Sequence, residues 1–198
     1  LYRSNAQSRV LEHALFKAAL SYRVYGGLRF FDRQEVKHAL AYLRLAANPD
    51  DDNALLRVIN FPARGIGARS LEQLQDAAKA AGSSLWQAAA QKSVGRPTSL
   101  KGIDGFVALI ESLRATCQGL PLPEAVEHVV EHSGLRQHYR GERDGADRLE
   151  NLNELTNAAT GFVHEAEDDS LAAFLAHAAL EAGEHQSGEG AEALQLMT

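Results

Sequence analysis

After Gly27 the chain reads as one helix after another, and only its two ends depart from that pattern. Apolar residues recur at three- and four-residue spacing through the body, the signature of amphipathic helices packed on each other. Val36, Ala39, Leu40 and Leu43 make one such stripe; Asp32 and Glu35 precede it at capping-box spacing, and Asn48-Pro49 ends it. A helical pair is expected over 53–81, a short helix opening at Ser84-Leu85-Trp86, and further helices over about 103–116, 123–133, 146–162 and 169–182. Pro123 suits a first turn and Gly134 a C-terminal cap. Before Gly26, a helix from Ser8 to Leu20 lies between two strand candidates, Leu1-Tyr2 and Tyr22–Tyr25. At the other end, the polar, glycine-rich stretch Ala182–Gly190 reads as a linker and Ala193–Thr198 as the beginning of a strand. The expected fold is therefore mainly α, a helical insertion carrying a small α/β strand–helix–strand stub of its host at the termini.

Several function classes drop out on composition. Cys117 is the single cysteine, which excludes a disulfide framework and a cysteine-based zinc site and fits a reducing cytoplasm. No apolar run reaches membrane-spanning length, so no membrane partner is expected. The chain opens on Leu1-Tyr2-Arg3 and carries its single methionine at Met197, as expected of a segment of a longer polypeptide. Net charge is −6, but it is unevenly spread: residues 1–70 hold 11 Lys/Arg against 6 Asp/Glu, and residues 71–198 hold 9 against 20. A basic first third is an electrostatic footprint for a polyanion, while the acidic remainder faces water or another partner.

The basic third also holds the most suggestive motif. Asn53–Leu74 reads as two helices joined by a tight Gly65-Ile66-Gly67 hairpin, with Arg57, Arg64 and Arg69 around it and no acid between them. Such a turn collects free backbone N–H groups, small residues and the positive end of a helix dipole at one place, a phosphate site that needs no cofactor. Arg64, Gly65, Ile66, Gly67, Arg69 and Ser70 are the candidate nucleic-acid-backbone contacts, with Ile66 pinning the turn to the core. The bland alternative is an ordinary interhelical turn whose glycines serve positive φ. A second glycine pair, Lys101-Gly102-Ile103-Asp104-Gly105, places an acid where phosphate would sit and reads as a turn only.

His128-Val-Val-Glu131-His132 has inverted zincin spacing and leaves a metal hydrolase as a rival reading. It lacks a convincing third ligand, and the same residues also make a plain amphipathic helix. No phosphate-binding loop of the Gly-x-x-x-x-Gly-Lys-Ser/Thr type, no Gly-x-Ser-x-Gly and no Cys/His pair is present. The expectation is no catalytic residue, no metal and no cofactor in this segment. Arg3-Ser4-Asn5 sits where a strand would run into a helix, a ligand edge in α/β sheets or simply a set of N-caps.

Taken in order, these segments resemble the UvrD/Rep/PcrA group of superfamily 1 DNA helicases, the UvrD branch most closely. The resemblance rests on Leu1–Arg9, Tyr25–Glu35, Ala41–Arg44, Ala47-Asn-Pro49, Asn60–Gly67, Leu149–Leu152, Ala172–Leu175 and Leu196–Thr198, and is loose over 95–145. It implies that 1–25 belongs to the second RecA-like motor domain, that 26–190 is the helical 2B accessory subdomain with a helix-hairpin-helix element, and that 191–198 returns to the motor. It further implies single-strand contacts at Arg3 and Asn5, a duplex grip at Gly65-Ile66-Gly67, and a hinge at Gly26-Gly27. ATP and Mg2+ would be cofactors of the parent, an ATP-dependent 3′–5′ helicase of the bacterial cytoplasm, associated with the nucleoid. The implied partners are duplex DNA and the single-strand junction, the rest of the motor, and repair or transcription proteins or a second copy. The alternative is a docking or self-association module that uses the acidic helical part and binds little DNA itself.

Overall fold

Two short strands, Tyr22–Tyr25 (β1) and Leu194–Met197 (β2), lie side by side although nearly the whole chain separates them. They pair in parallel, Tyr22 opposite Leu194 through Tyr25 opposite Met197. Parallel strands cannot be joined by a hairpin and require a crossover. Here the crossover is the entire helical body. The computed structural model describes residues 7–25, 28–93, 101–183 and 194–197. Leu1-Tyr2, Arg3, Asn5, Gly26, Gly27 and residues 184–190 of the linker lie outside the described residues.

Ten α-helices are present among the described residues, in the order α1 (Ser8–Lys17), α2 (Gln34–Ala47), α3 (Asp52–Val58), α4 (Ala68–Ala81), α5 (Leu85–Ser93), α6 (Lys101–Cys117), α7 (Leu122–His132), α8 (Leu135–Arg140), α9 (Gly145–Glu165) and α10 (Leu171–Gly183). The fold is mainly α, as the periodicity implied. The chain forms two compact units: one comprises Leu1–Lys37 with Arg136–Thr198, the other His38–Leu135.

The first unit holds both strands, α1, α8, α9 and α10. Leu152, Leu155 and Ala159 of α9 are buried at three- and four-residue spacing, and Phe174 and Ala178 of α10 are buried with them. Phe162 meets Phe174 edge-on at 5.6 Å. Between β1 and α2, Phe30 and Phe31 form a 3-10 turn whose rings meet at 5.0 Å.

This unit also buries charge. Glu12 of α1 is buried and accepts the Phe30 N–H at 3.0 Å and the Tyr22 hydroxyl at 3.2 Å. Arg33 donates to Ser8 Oγ at 2.5 Å and to Asn151 Oδ1 at 2.7 Å. The Asn151 amide then donates to Glu35 Oε1 at 2.6 Å, and Arg148 donates to Glu35 Oε2 at 3.1 Å. A buried charge is tolerable only when its hydrogen-bonding capacity is taken up this way.

That network corrects the capping-box expectation. The helix begins at Gln34, Asp32 sits in the 3-10 turn and pairs with Lys37 at 2.7 Å, and the Glu35 carboxylate is spent on α9. The spacing was right for a cap, but a buried cation and amide compete better for that carboxylate than an exposed backbone N–H does.

The second unit is a run of helices, each packed on its sequence neighbours: α4 on α5, α5 on α6, α6 on α7, with α3 against α5. Its core holds Tyr42, Leu43, Leu55, Leu74, Ala89, Phe106, Ile110 and Val129. Asp51 caps α3 by accepting the Ala54 N–H at 3.0 Å, and Ser84 Oγ accepts the Gln87 N–H at 3.1 Å as the Ser-Leu-Trp segment implied. Pro123 lies in the first turn of α7, and Gly134 follows it at φ +87°.

One expectation fails here. Lys101–Gly105 is not a turn but the first turn and a half of α6. A Cβ on Gly102 would lie 2.6 Å from the Arg64 carbonyl oxygen and 2.8 Å from Ile66 Cγ1, so its glycine serves close helix-to-loop packing. The short helix α8 was not foreseen, because six polar-rich residues give too little periodicity to register.

Candidate nucleic-acid interface

The Asn53–Leu74 segment folds as helix, loop and helix, but the connection is longer than a Gly-Ile-Gly turn: α3 ends at Val58 and α4 begins at Ala68. Asn60 organises the loop. Its side-chain oxygen accepts the N–H groups of Arg64 at 2.8 Å and Ile66 at 3.1 Å, which draws the chain into a closed bend. Gly65, at φ +72°, supplies the left-handed residue that the bend needs. Ile66 is buried beneath it and anchors the loop, as expected.

Arg64 is not a free cation at the surface. Its guanidinium donates to the carbonyls of Val58 at 3.1 Å, Pro62 at 3.0 Å and Ser133 at 3.1 Å, and to the Tyr42 hydroxyl at 2.6 Å. It lies between the rings of Tyr42 and Phe106, at 5.7 and 5.6 Å from their centres. Tyr42 in turn donates to the Phe61 carbonyl at 2.6 Å. Burial pushes the Tyr42 phenol up to about 12, against the opposing pull of Arg64, so it keeps its proton and can donate while accepting. The sequence placed Arg64 among the phosphate contacts; the geometry makes it the brace of the loop.

The surface of the hairpin is made by its neighbours. Arg57 in the last turn of α3 and Arg69 in the first turn of α4 are both exposed, as are Gly65 and Gly67, while Ser70 is half-buried. Gly67 caps α4 in an extended conformation with no side-chain oxygen over the helix end. The Gly67 carbonyl takes the N–H groups of Ser70 and Leu71, whereas those of Ala68 and Arg69 have no acceptor among the described residues. A 14-residue helix thus opens to solvent with two unspent donors, its positive dipole end and an arginine at one spot. Such a site can hold a phosphate oxygen without reading a base.

The zincin-like pair does not converge. The rings of His128 and His132 stack at 4.0 Å and 29°, and His132 Nδ1 lies 2.9 Å from the His128 carbonyl oxygen. Burial and the neighbouring His132 lower the His128 pKa, as expected of two imidazoles sharing a helix face. Side-by-side rings with one nitrogen committed to backbone do not form a metal-binding cup.

A profile of the UvrD-like helicase C-terminal domain matches residues 1–198. The chain belongs to that family. It is 47% identical to DNA helicase II of Escherichia coli (strain K12) over 208 residues, covering all of this chain and 29% of that protein. Identity is 44% over 206 residues to DNA helicase II of Haemophilus influenzae and 40% over 209 to the ATP-dependent DNA helicase PcrA of Bacillus subtilis, covering all of this chain and 28% of each relative. The chain therefore spans less than a third of these UvrD-like helicases. The structure gives a physical reason for two segments that carried the likeness, Tyr25–Glu35 and Leu149–Leu152. Arg33 and Glu35 from one meet Asn151 from the other. Sequence reasoning gave Arg33, Asn151, Asn60 and Tyr42 no role and Glu35 only that of a cap, because a buried polar group looks like any surface polar group until its partner is known.

Proposed function

We propose that this chain is the DNA-binding accessory region of an ATP-dependent 3′–5′ DNA helicase, acting in repair and replication. In this reading 26–190 is the helical 2B subdomain with a helix-hairpin-helix element, and 1–25 and 191–198 are parts of the second RecA-like domain. ATP and Mg2+ act in the parent protein, and this segment is not catalytic alone. Arg69, Ser70, Gly65 and Gly67 hold the phosphate backbone of duplex DNA ahead of the junction through the open N–H groups of α4. Arg57 adds charge from α3. Arg64 and Ile66 act one step back, by fixing the loop. Arg3 and Asn5 contact the single strand, and Gly26-Gly27 is the pivot.

The observation that carries this reading is the uncapped start of α4 beside Arg69, in a chain whose relatives are DNA helicases. The test is duplex affinity of the intact protein at low salt. Arg57→Glu with Arg69→Glu should weaken blunt-duplex binding at least tenfold and leave single-strand-stimulated ATP hydrolysis unchanged. Unchanged duplex affinity would remove the hairpin from the DNA interface. The rival docking reading draws on the acidic bias of residues 71–198. It gains if a protein complex survives those two changes and fails when the acidic face is neutralised.

A further inference from the structure

A cluster on α1 and α10 takes no part in the hairpin. His13 lies on α1, and His177 and Glu181 lie one turn apart on α10. His13 Nδ1 is 2.6 Å from Glu181 Oε1, and His177 Nε2 is 2.9 Å from the same oxygen. One ligand atom from each of the three residues lies within 4.8 Å of the others. Glu181 is only 6% exposed. The rings cannot wander: Phe16 meets His177 edge-on at 5.8 Å, and Phe162 lies against it at 5.2 Å. His13, His177, Glu181 and Phe162, together with Phe31 and Phe174, line a cavity of about 220 Å³.

We propose that His13 Nδ1, His177 Nε2 and Glu181 Oε1 are the protein ligands of a zinc ion, with Glu165 as the carboxylate that orients His13 from behind. Two imidazole nitrogens and one carboxylate make a donor set suited to zinc and poorly suited to magnesium or calcium, which prefer all-oxygen shells. Bonds of about 2.0–2.1 Å in a tetrahedral shell hold donors roughly 3.3 Å apart. The spacings of 2.6 and 2.9 Å would open by about 0.7 and 0.4 Å, which side-chain rotations supply.

The outer partner is in place. His13 Nε2 lies 3.1 Å from Glu165 Oε2, and Lys17 Nζ holds that oxygen at 2.6 Å. A carboxylate behind a ligating imidazole fixes its tautomer and ring orientation, the arrangement found around bound zinc. Arg9, the cation on the cavity wall, is paired with Glu154. Zinc would take the place of the two imidazole–carboxylate contacts at Glu181 Oε1 and leave a fourth position open to water. It would clip α1, which leads into β1, to α10, which precedes β2.

The test is zinc titration of intact, tag-free, chelator-stripped protein against a chromophoric competitor. Wild type should take up one equivalent that is lost, with affinity at least a hundredfold weaker, in His13→Ala and in His177→Ala. Glu165→Gln should weaken it about tenfold, and His128→Ala with His132→Ala should leave it unchanged. Cobalt in place of zinc should give the visible absorption of a tetrahedral complex in wild type and not in His177→Ala. His13, on α1 and with 21% of its side chain exposed, decides the matter if the α10 variant does not fold. Absence of a stoichiometric equivalent, or an equivalent indifferent to both His13 and His177, overturns the proposal.

Discussion

Asn151→Leu is expected to lower the unfolding free energy of the first unit by about 3 kcal/mol, although the side chain changes little in size. Asn151 is the neutral link between a buried cation and a buried carboxylate: it accepts from Arg33 at 2.7 Å and donates to Glu35 at 2.6 Å. Hydrogen bonds to charged groups are worth roughly 1.5–3 kcal/mol each, and a charge left buried without its partner costs more than the bond itself. Leucine fills the space but satisfies neither group. Asn153→Leu, an exposed position on the same helix, is the control and should stay within about 0.5 kcal/mol of wild type. Urea unfolding followed by circular dichroism reads both. An Asn151→Leu protein as stable as wild type would mean that the Arg33–Asn151–Glu35 chain does not hold the start of α2 to α9.

The second large effect belongs to Arg64. Arg64→Ala removes a guanidinium that reaches three carbonyls and one hydroxyl, and it should cost about 3 kcal/mol in the second unit. Arg64→Lys should recover less than half of that, because a single ammonium cannot span oxygens set out for a planar fork. Arg69→Ala should leave stability within about 0.5 kcal/mol, since the residue is exposed and its helix keeps its other contacts. The comparison separates bracing from contact. If Arg64→Ala left stability intact and weakened duplex binding as Arg69→Ala does, Arg64 would be a phosphate ligand after all and the inward geometry would not be the one that binds.

Much of the fold was legible because periodicity is a local property. The stripe Val36, Ala39, Leu40, Leu43 is buried as its spacing required, and β1 stands at Tyr22–Tyr25. What could not be read was direction. Sequence assigns Arg64 a charge but not a heading; the carbonyls of Val58, Pro62 and the distant Ser133, with the Tyr42 hydroxyl, turn it inward. Gly102 looked like turn punctuation because glycine has two uses, positive φ and close approach, and composition does not tell them apart. Asp32 and Glu35 had the spacing of a cap, yet Glu35 met stronger partners on α9. His128 and His132 carried a metal motif and stack instead, while His13 meets His177 and Glu181 across a separation that no spacing rule covers. The hairpin itself was visible from its glycines and arginines; its brace of Asn60, Tyr42 and Ser133 was not.

The grip proposed at the start of α4 depends on charge and position and not on base sequence. Its most direct measurement is the salt dependence of duplex binding by the intact protein, read by fluorescence anisotropy on two duplexes of unrelated sequence. Affinity should be equal for both, log affinity should fall linearly with log salt, and the slope should be shallower by about one in Arg69→Ala. Affinity that ignores salt, or a slope that Arg69→Ala leaves unchanged, would contradict the proposed grip.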